Sequence, residues 1–134
     1  MWVLNAKFAV GVTGVVVNDA SEVLFLEHAF RKRYPWALPG GWIARAERPE
    51  QAIVRELREE TGLEIEVERL LHARSFSEAR LDVVYLCRVV SGTIRASGET
   101  PHWQWCRPGR VPAGADPYSL ELLAQVPAWH SDAS

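Results

Sequence analysis

Apolar and polar positions alternate, break and resume along this chain in a way that marks out its elements. Lys7 to Val17 is rich in Val and Gly and reads as a strand. Asn18-Asp19-Ala20-Ser21 is a turn cluster, and Val23-Leu24-Phe25-Leu26 resumes as a second strand. So short a connection predicts an antiparallel hairpin. His28 to Trp36 turns aromatic and basic, with Pro35 opposing a smooth helix, and reads as a surface loop. Trp42-Ile43 is a short extended piece, and Ala44 to Arg48 a loop. A helix then starts at Pro49, where a missing N–H is harmless, and runs to about Thr61 before Gly62 stops it. Leu63 to Leu71 alternates apolar and charged, as a half-buried strand does. Phe76 to Ala79 reads as a turn, and Leu81 to Val90 as a largely apolar, central strand. Thr93 to Arg95 is a short candidate strand, and His102 to Cys106 another. Residues 107–117 are irregular, because Pro and Gly interrupt them repeatedly. Tyr118 to Val126 has helical spacing, with Leu120, Leu123 and Ala124 on one side.

Strands, a helix, more strands and a closing helix suit an α/β fold: a mixed sheet covered by helices on both faces. The helical crossover allows parallel pairing between strands on either side of it. Gly11 and Gly14 within the first strand mark a bulge, the close approach of a ligand, or tight packing. The length suits one domain, 1–134, with 1–6 and 127–134 as loose ends.

Composition narrows the partners. No apolar run reaches the ~20 residues of a membrane span. Phe8 to Val17 contains two glycines and lacks a following small-x-small site, so a strand fits it better than a signal core. A net charge of −2 supplies no broad basic field and disfavours nucleic acid, while small phosphorylated molecules remain within reach of local Arg side chains. Cys87, in an apolar run, reads as a buried small hydrophobe. With Cys106 it makes neither a zinc site nor a disulfide framework, which suits a reducing, cytoplasmic setting.

The helix carries the candidate chemistry. On a wheel stepping about 100° per residue, Glu59, Glu56 and Glu60 share roughly one third of the circumference. Ile53, Leu57, Val54 and Thr61 form the neighbouring core stripe, so the carboxylates border the core. Like charges at Glu56 and Glu60, spaced i, i+4, cost about 0.2–0.5 kcal/mol. Carboxylates in the last turns also oppose the helix dipole. A hard cation such as Mg²⁺ would relieve both conflicts. A solvated, salt-bridged face, with Arg55 and Glu59 also at i, i+4, is the competing explanation from the helix alone.

The wider spacing decides between them. Gly41, Glu47, Arg55-Glu56-Leu57, Glu59-Glu60 and Gly62-Leu63 match the Nudix box at every specified position, so the chain resembles a Nudix hydrolase. Pro39-Gly40 before the box and the order of strands extend that resemblance over nearly the whole chain. It implies an α/β/α sandwich around a mixed sheet, and hydrolysis of a nucleoside diphosphate linked to another moiety, using Mg²⁺ or Mn²⁺. It implies Glu56 and Glu60 as main metal ligands, Glu59 as a third, direct or through water, and the Gly40 carbonyl as a further one. Arg55 and Glu47 would brace the loop against the helix, with Gly41 and Gly62 structural. The proton acceptor varies among relatives: Glu56, Glu59 or a residue outside the box. Where many relatives carry a glutamate before the tryptophan-bearing strand, this chain has His102, and its nearest acid is Glu99. The expected partner is a small nucleotide derivative. A homodimer is also expected as an option, since dimers are frequent in the family.

Arg31, Lys32 and Arg33 either bind phosphate or form a solvated loop. Tyr34, Trp36 and Trp42 flank the metal loop and either stack on a base or pack as core and lid. Trp103 and Trp105 are expected on opposite sides of their strand, one in the core and one able to reach the pocket. His28 and His72 read as ordinary. Two other classes remain: a Nudix-fold binding or regulatory domain without turnover, which the intact carboxylate set disfavours, and an RNA 5′-pyrophosphohydrolase, which the charge disfavours.

Overall fold

Period-two alternation decides which side of the sheet each apolar side chain serves. The computed structural model describes residues 7–126. The loose ends expected at 1–6 and 127–134 lie outside them. Strands β1 (Ala9–Val17), β2 (Val23–Glu27), β3 (Trp36–Ala37) and β4 (Gly40–Trp42) precede helix α1 (Pro49–Thr61). Strands β5 (Glu64–Ser77), β6 (Arg80–Ser91) and β7 (His102–Cys106) follow, then helix α2 (Pro117–Leu123). Val12 and Val16 of β1, Leu24 and Leu26 of β2, and Val83, Tyr85 and Cys87 of β6 turn to one core. Their strand neighbours Val15, Val23, Phe25 and Val84 turn to the other. Ala52, Ile53 and Leu57 of α1 fill the first core, and Leu122 and Leu123 of α2 the second. The result is the expected α/β/α sandwich. Leu57 is fully buried, so Leu57→Ala would cost about 2–5 kcal/mol.

The sheet is mixed, in the order β3-β2-β1-β6-β5, with β4 added to β1 and β7 to β2. The β1–β2 hairpin is antiparallel, though only Val17 and Val23 pair in it. Parallel pairing falls to β1 and β6, from Ala9 with Arg80 to Val17 with Arg88, rather than to the strands adjoining α1. That register places β4, β1 and the start of β6 side by side.

Four expectations need correction. The second core strand continues past Leu71 to Ser77, leaving only Glu78-Ala79 as the turn. Irregularities between Val67 and Arg69 and between Leu70 and His72 shift the alternation there, so pairing to β6 persists after the sequence pattern is lost. Thr93 to Arg95 is not a strand. Its Arg95 N–H instead donates to the Thr61 carbonyl at the end of α1. In α2 the buried residues are Ser119, Leu122 and Leu123, while Leu120 is exposed. Asp116 caps the helix by accepting from the Ser119 N–H, and the Ser119 hydroxyl accepts from the Leu38 N–H, which fixes the helix rotation. Finally, Trp103 and Trp105 are two apart and share a face, as strand geometry requires. They line one shallow groove with Ile94 and Val89, away from the carboxylates.

Candidate active site

Helix α1 buries its Ile53–Leu57 stripe against the sheet, which fixes where its polar flank emerges. Its N-terminus is ordered by Gln51, whose side-chain oxygen accepts from the Arg48 N–H at 3.1 Å. At the other end Gly62, at φ 82°, closes the helix with an N–H bond to the Arg58 carbonyl.

Arg55 organises the flank. Its Nε donates to Glu47 Oε2 at 2.7 Å, and its Nη2 to Glu47 Oε1 and to the Trp42 carbonyl, both at 2.9 Å. Its Nη1 donates to Glu56 Oε1 at 2.9 Å and to Glu59 Oε2 at 3.2 Å. Glu47 Oε1 also accepts from the Ala44 N–H, closing the loop between β4 and α1. Hydrogen bonds from Arg55, then from Ala44, hold the Glu47 carboxyl down at about 2. The Arg55 guanidinium is correspondingly raised, chiefly by Glu47. Such bidentate pairing is a geometry Lys cannot reproduce.

Gly41 lies directly beneath Glu56. A Cβ there would stand 2.2 Å from the Glu56 carboxyl carbon and 2.4–2.5 Å from its oxygens, so only glycine leaves that carboxylate its place.

Glu56 and Glu60 open into a cleft of about 330 Å³, which Gly40, Gly41 and Glu99 also line. His28, Arg31, Arg80, Trp42 and Thr13 line the same cleft, and the Ala29 N–H donates to the Glu99 carbonyl beside it. Burial, then the charge of Glu56, pushes the Glu60 carboxyl up to about 8; Glu99 and Glu59 add to the rise and the Gly40 N–H offsets part of it. Glu60 Oε2 is buried with no hydrogen-bond partner among the described residues. His28 is brought down to about 4 by burial and by Arg31, so it is neutral at pH 7.

This oxygen-only donor set suits a hard divalent cation. The stranded Glu60 oxygen and the repulsion between Glu56 and Glu60 are the features such a cation would resolve. Among the described residues no three His, Cys, Asp or Glu side chains already converge as a cage. Arg55 engages one oxygen of Glu56 and draws Glu59 outward, leaving Glu59 well exposed.

Of the residues expected from sequence, Gly40, Gly41, Glu56, Glu60, Glu99, Arg31 and Trp42 share the cleft. Glu59 lies on the outer flank of α1. His102 is exposed on β7, its Nδ1 3.1 Å from Glu27 Oε1. Arg33 lies over the Tyr34 ring, Trp36 packs on the α2-side core, and Trp103 sits in the groove described above. Sequence reasoning missed Thr13, His28 and Arg80. None carries a motif: Thr13 sits among valines, and Arg80 looks like any charge opening a strand.

A family model described as the NUDIX domain matches residues 7–126. The chain belongs to the Nudix hydrolase family. Enzymes of the Nudix family generally use divalent cations such as Mg²⁺ and act on small nucleotide derivatives. Among its relatives, this Nudix chain is 32% identical over 117 residues to a MutT-like protein of Streptomyces ambofaciens, covering 86% of this chain and 75% of that one. It is 33% identical over 100 residues to an ADP-ribose pyrophosphatase of Methanocaldococcus jannaschii, covering 68% of this chain but only 57% of that protein. The solved MutT NUDIX hydrolase of Burkholderia pseudomallei superposes with a TM-score of 0.75 at 27% identity, covering 90% of this chain and 98% of that one. No helix among the described residues is long and apolar enough to cross a membrane.

Proposed function

We propose that this Nudix chain works as a single catalytic domain that hydrolyses the P–O–P bridge of a nucleoside diphosphate joined to a further group. The observation that carries this reading is the shared cleft of Glu56 and Glu60, one of them with a buried, unpartnered carboxylate oxygen. Glu56, Glu60 and the Gly40 carbonyl would hold Mg²⁺ or Mn²⁺, with Glu59 joining after leaving Arg55 or through water. The cation's contribution is to neutralise phosphate charge and lower the pKa of a bound water. Arg55 keeps Glu56 pointed at the cleft, and Gly41 leaves room for it. Of the proton acceptors suggested by sequence, Glu56 and Glu99 line the cleft, while Glu59 and His102 do not. The base is accordingly sought in those two. Products would be two phosphorylated fragments.

ADP-ribose heads the substrate candidates, because a relative bears the name ADP-ribose pyrophosphatase. Other ADP-sugars, dinucleoside polyphosphates, NADH-like compounds and oxidised nucleoside triphosphates complete the panel. The two free, buried cysteines fit the reducing cytoplasm. The test is to incubate the chain with each compound and Mg²⁺ or Mn²⁺ and to assay phosphorylated products. Turnover abolished in Glu56→Gln is the expected result. Tight binding without turnover on the whole panel would replace this reading by that of a binding domain. The pH–rate profile of Glu99→Gln identifies the base: loss of the acidic limb assigns it to Glu99, and retention of that limb assigns it to Glu56.

A further inference from the structure

Arg80 is the first residue of β6, and its guanidinium is clamped. Its central carbon lies 4.8 Å from the centre of the Trp42 ring and 4.8 Å from that of Phe76. Its only ion pair among the described residues is a long one, Nη2 to Asp82 Oδ1 at 3.7 Å. Asp82 is itself fully buried, accepting from the Thr13 hydroxyl at 3.0 Å and the Tyr118 hydroxyl at 2.5 Å. A buried carboxyl group satisfied in this way is held in place, and it braces the guanidinium on one side.

Gly11, which sequence left between ligand approach, bulge and packing, belongs to the same device. It pairs with Trp42 on one side and Asp82 on the other. A Cβ on Gly11 would stand 3.1 Å from Asp82 Oδ1, 3.2 Å from Arg80 Nη2 and 3.4 Å from Arg80 Nε. The missing side chain thus reserves the space the guanidinium occupies.

An arginine carries five N–H donors. Arg80 donates no hydrogen bond of ordinary length to any described residue, and its Nε is among the buried atoms without a partner. Its Nε, a buried donor left unspent, is costly unless something else accepts from it. Arg80 lines the same cleft as Glu56 and Glu60. The cleft therefore holds both carboxylates able to take a cation and a fixed planar fork for an anion.

We propose that Arg80, clamped between Trp42 and Phe76 and braced by Asp82, donates to a phosphate of the substrate, and that Gly11 is its positioning residue. This rests on the diphosphate reading of the cleft.

The test uses three measurements on the full chain. Affinity for α,β-methylene-ADP, which cannot be cleaved at its bridge, is measured by calorimetry with Mg²⁺ present. Mn²⁺ affinity without nucleotide is measured by electron paramagnetic resonance. KM and kcat are measured on whichever panel compound turns over. Arg80→Ala is expected to weaken the analogue and raise KM by about 10- to 100-fold, the range of a charge-assisted hydrogen bond, with kcat within about threefold and Mn²⁺ affinity unchanged. Arg80→Lys keeps the charge but not the stacked fork, and is expected to fall between. Gly11→Ala should raise KM in the native background and add nothing to Arg80→Ala, a non-additivity that a merely structural effect would not produce. Should Arg80→Ala fail to fold, the Lys and Gly11→Ala variants still decide the matter. Wild-type affinity for the analogue in all of them overturns the role of Arg80. An equal loss of Mn²⁺ and analogue affinity overturns it too, since the effect would then run through the carboxylates. A wild-type chain that neither binds the analogue nor turns over any compound instead overturns the diphosphate reading itself.

Discussion

Glu60 offers the sharpest test of how this cleft is built. Its carboxyl stands at about 8 in the folded chain without cation, against an ordinary value of 4.5, mainly because it is buried and faces Glu56. The folded state therefore binds a proton that the unfolded state releases, and stability must fall as pH rises from 4.5 towards 8. His28 works in the opposite sense: it is held neutral down to about 4, so its contribution to stability rises between pH 4 and 6.5. Glu47 changes only below 4.5. The clean window is thus pH 6.5 to 8. At about 1.36 kcal/mol per pH unit, Glu60 alone removes on the order of 2 kcal/mol across it, or about 5–10 °C in melting temperature. Thermal melts in EDTA at pH 6.5, 7.2 and 8.0 would read this directly. In Glu60→Gln, which keeps shape without charge, the decline should vanish. Mg²⁺ should raise the melting temperature of the wild-type chain more at pH 8.0 than at 6.5, because cation and proton compete for the same oxygens. Equal pH slopes for wild type and Glu60→Gln would refute the account of a stranded, repelled carboxylate.

Other outcomes follow from single contacts. Gly41→Ala forces a methyl into the Glu56 carboxylate, so turnover should fall at least about 100-fold with the fold retained by circular dichroism. Ala46 holds a left-handed φ of 62° in the loop before α1, and Ala46→Gly should stabilise the chain by about 0.5–1 kcal/mol in denaturant titration. Burial pushes the Cys87 thiol up to about 12 and the Cys106 thiol up to about 11, so neither should react with a disulfide reagent at pH 8 until the chain is unfolded.

Much of this was readable before any coordinates, for identifiable reasons. The strands β1, β2 and β6 announce themselves because both their faces are buried, and α1 because its apolar stripe, Pro49 and Gly62 agree. The box residues were legible because their spacing is set by contacts with one another, as Arg55 shows. The far half of β5 was hidden by irregularities that scramble its alternation. Arg80 was hidden for a different reason. Arg80 reaches the cleft only because β6 runs parallel to β1 in the register that sets it beside Ala9, and such pairing of distant segments leaves no local trace. The two tryptophans of β7 were misplaced by a misread period.

The Arg55 guanidinium reaches the Trp42 carbonyl, both Glu47 oxygens and the helix carboxylates at once. The chain from Trp42 to Arg55 is thereby closed into a ring, part covalent and part hydrogen-bonded. Rings tolerate changes of substituent far better than changes of size. One residue added or removed among 43–46 would leave the guanidinium either short of Glu47 or past it. Most surface loops drift in length because nothing measures them; this one is measured by the Arg55 guanidinium. The irregular segment before α2 is freer in length only at its start: from Gly114 to Asp116 it is tied to Trp36 by two backbone hydrogen bonds and an isolated bridge.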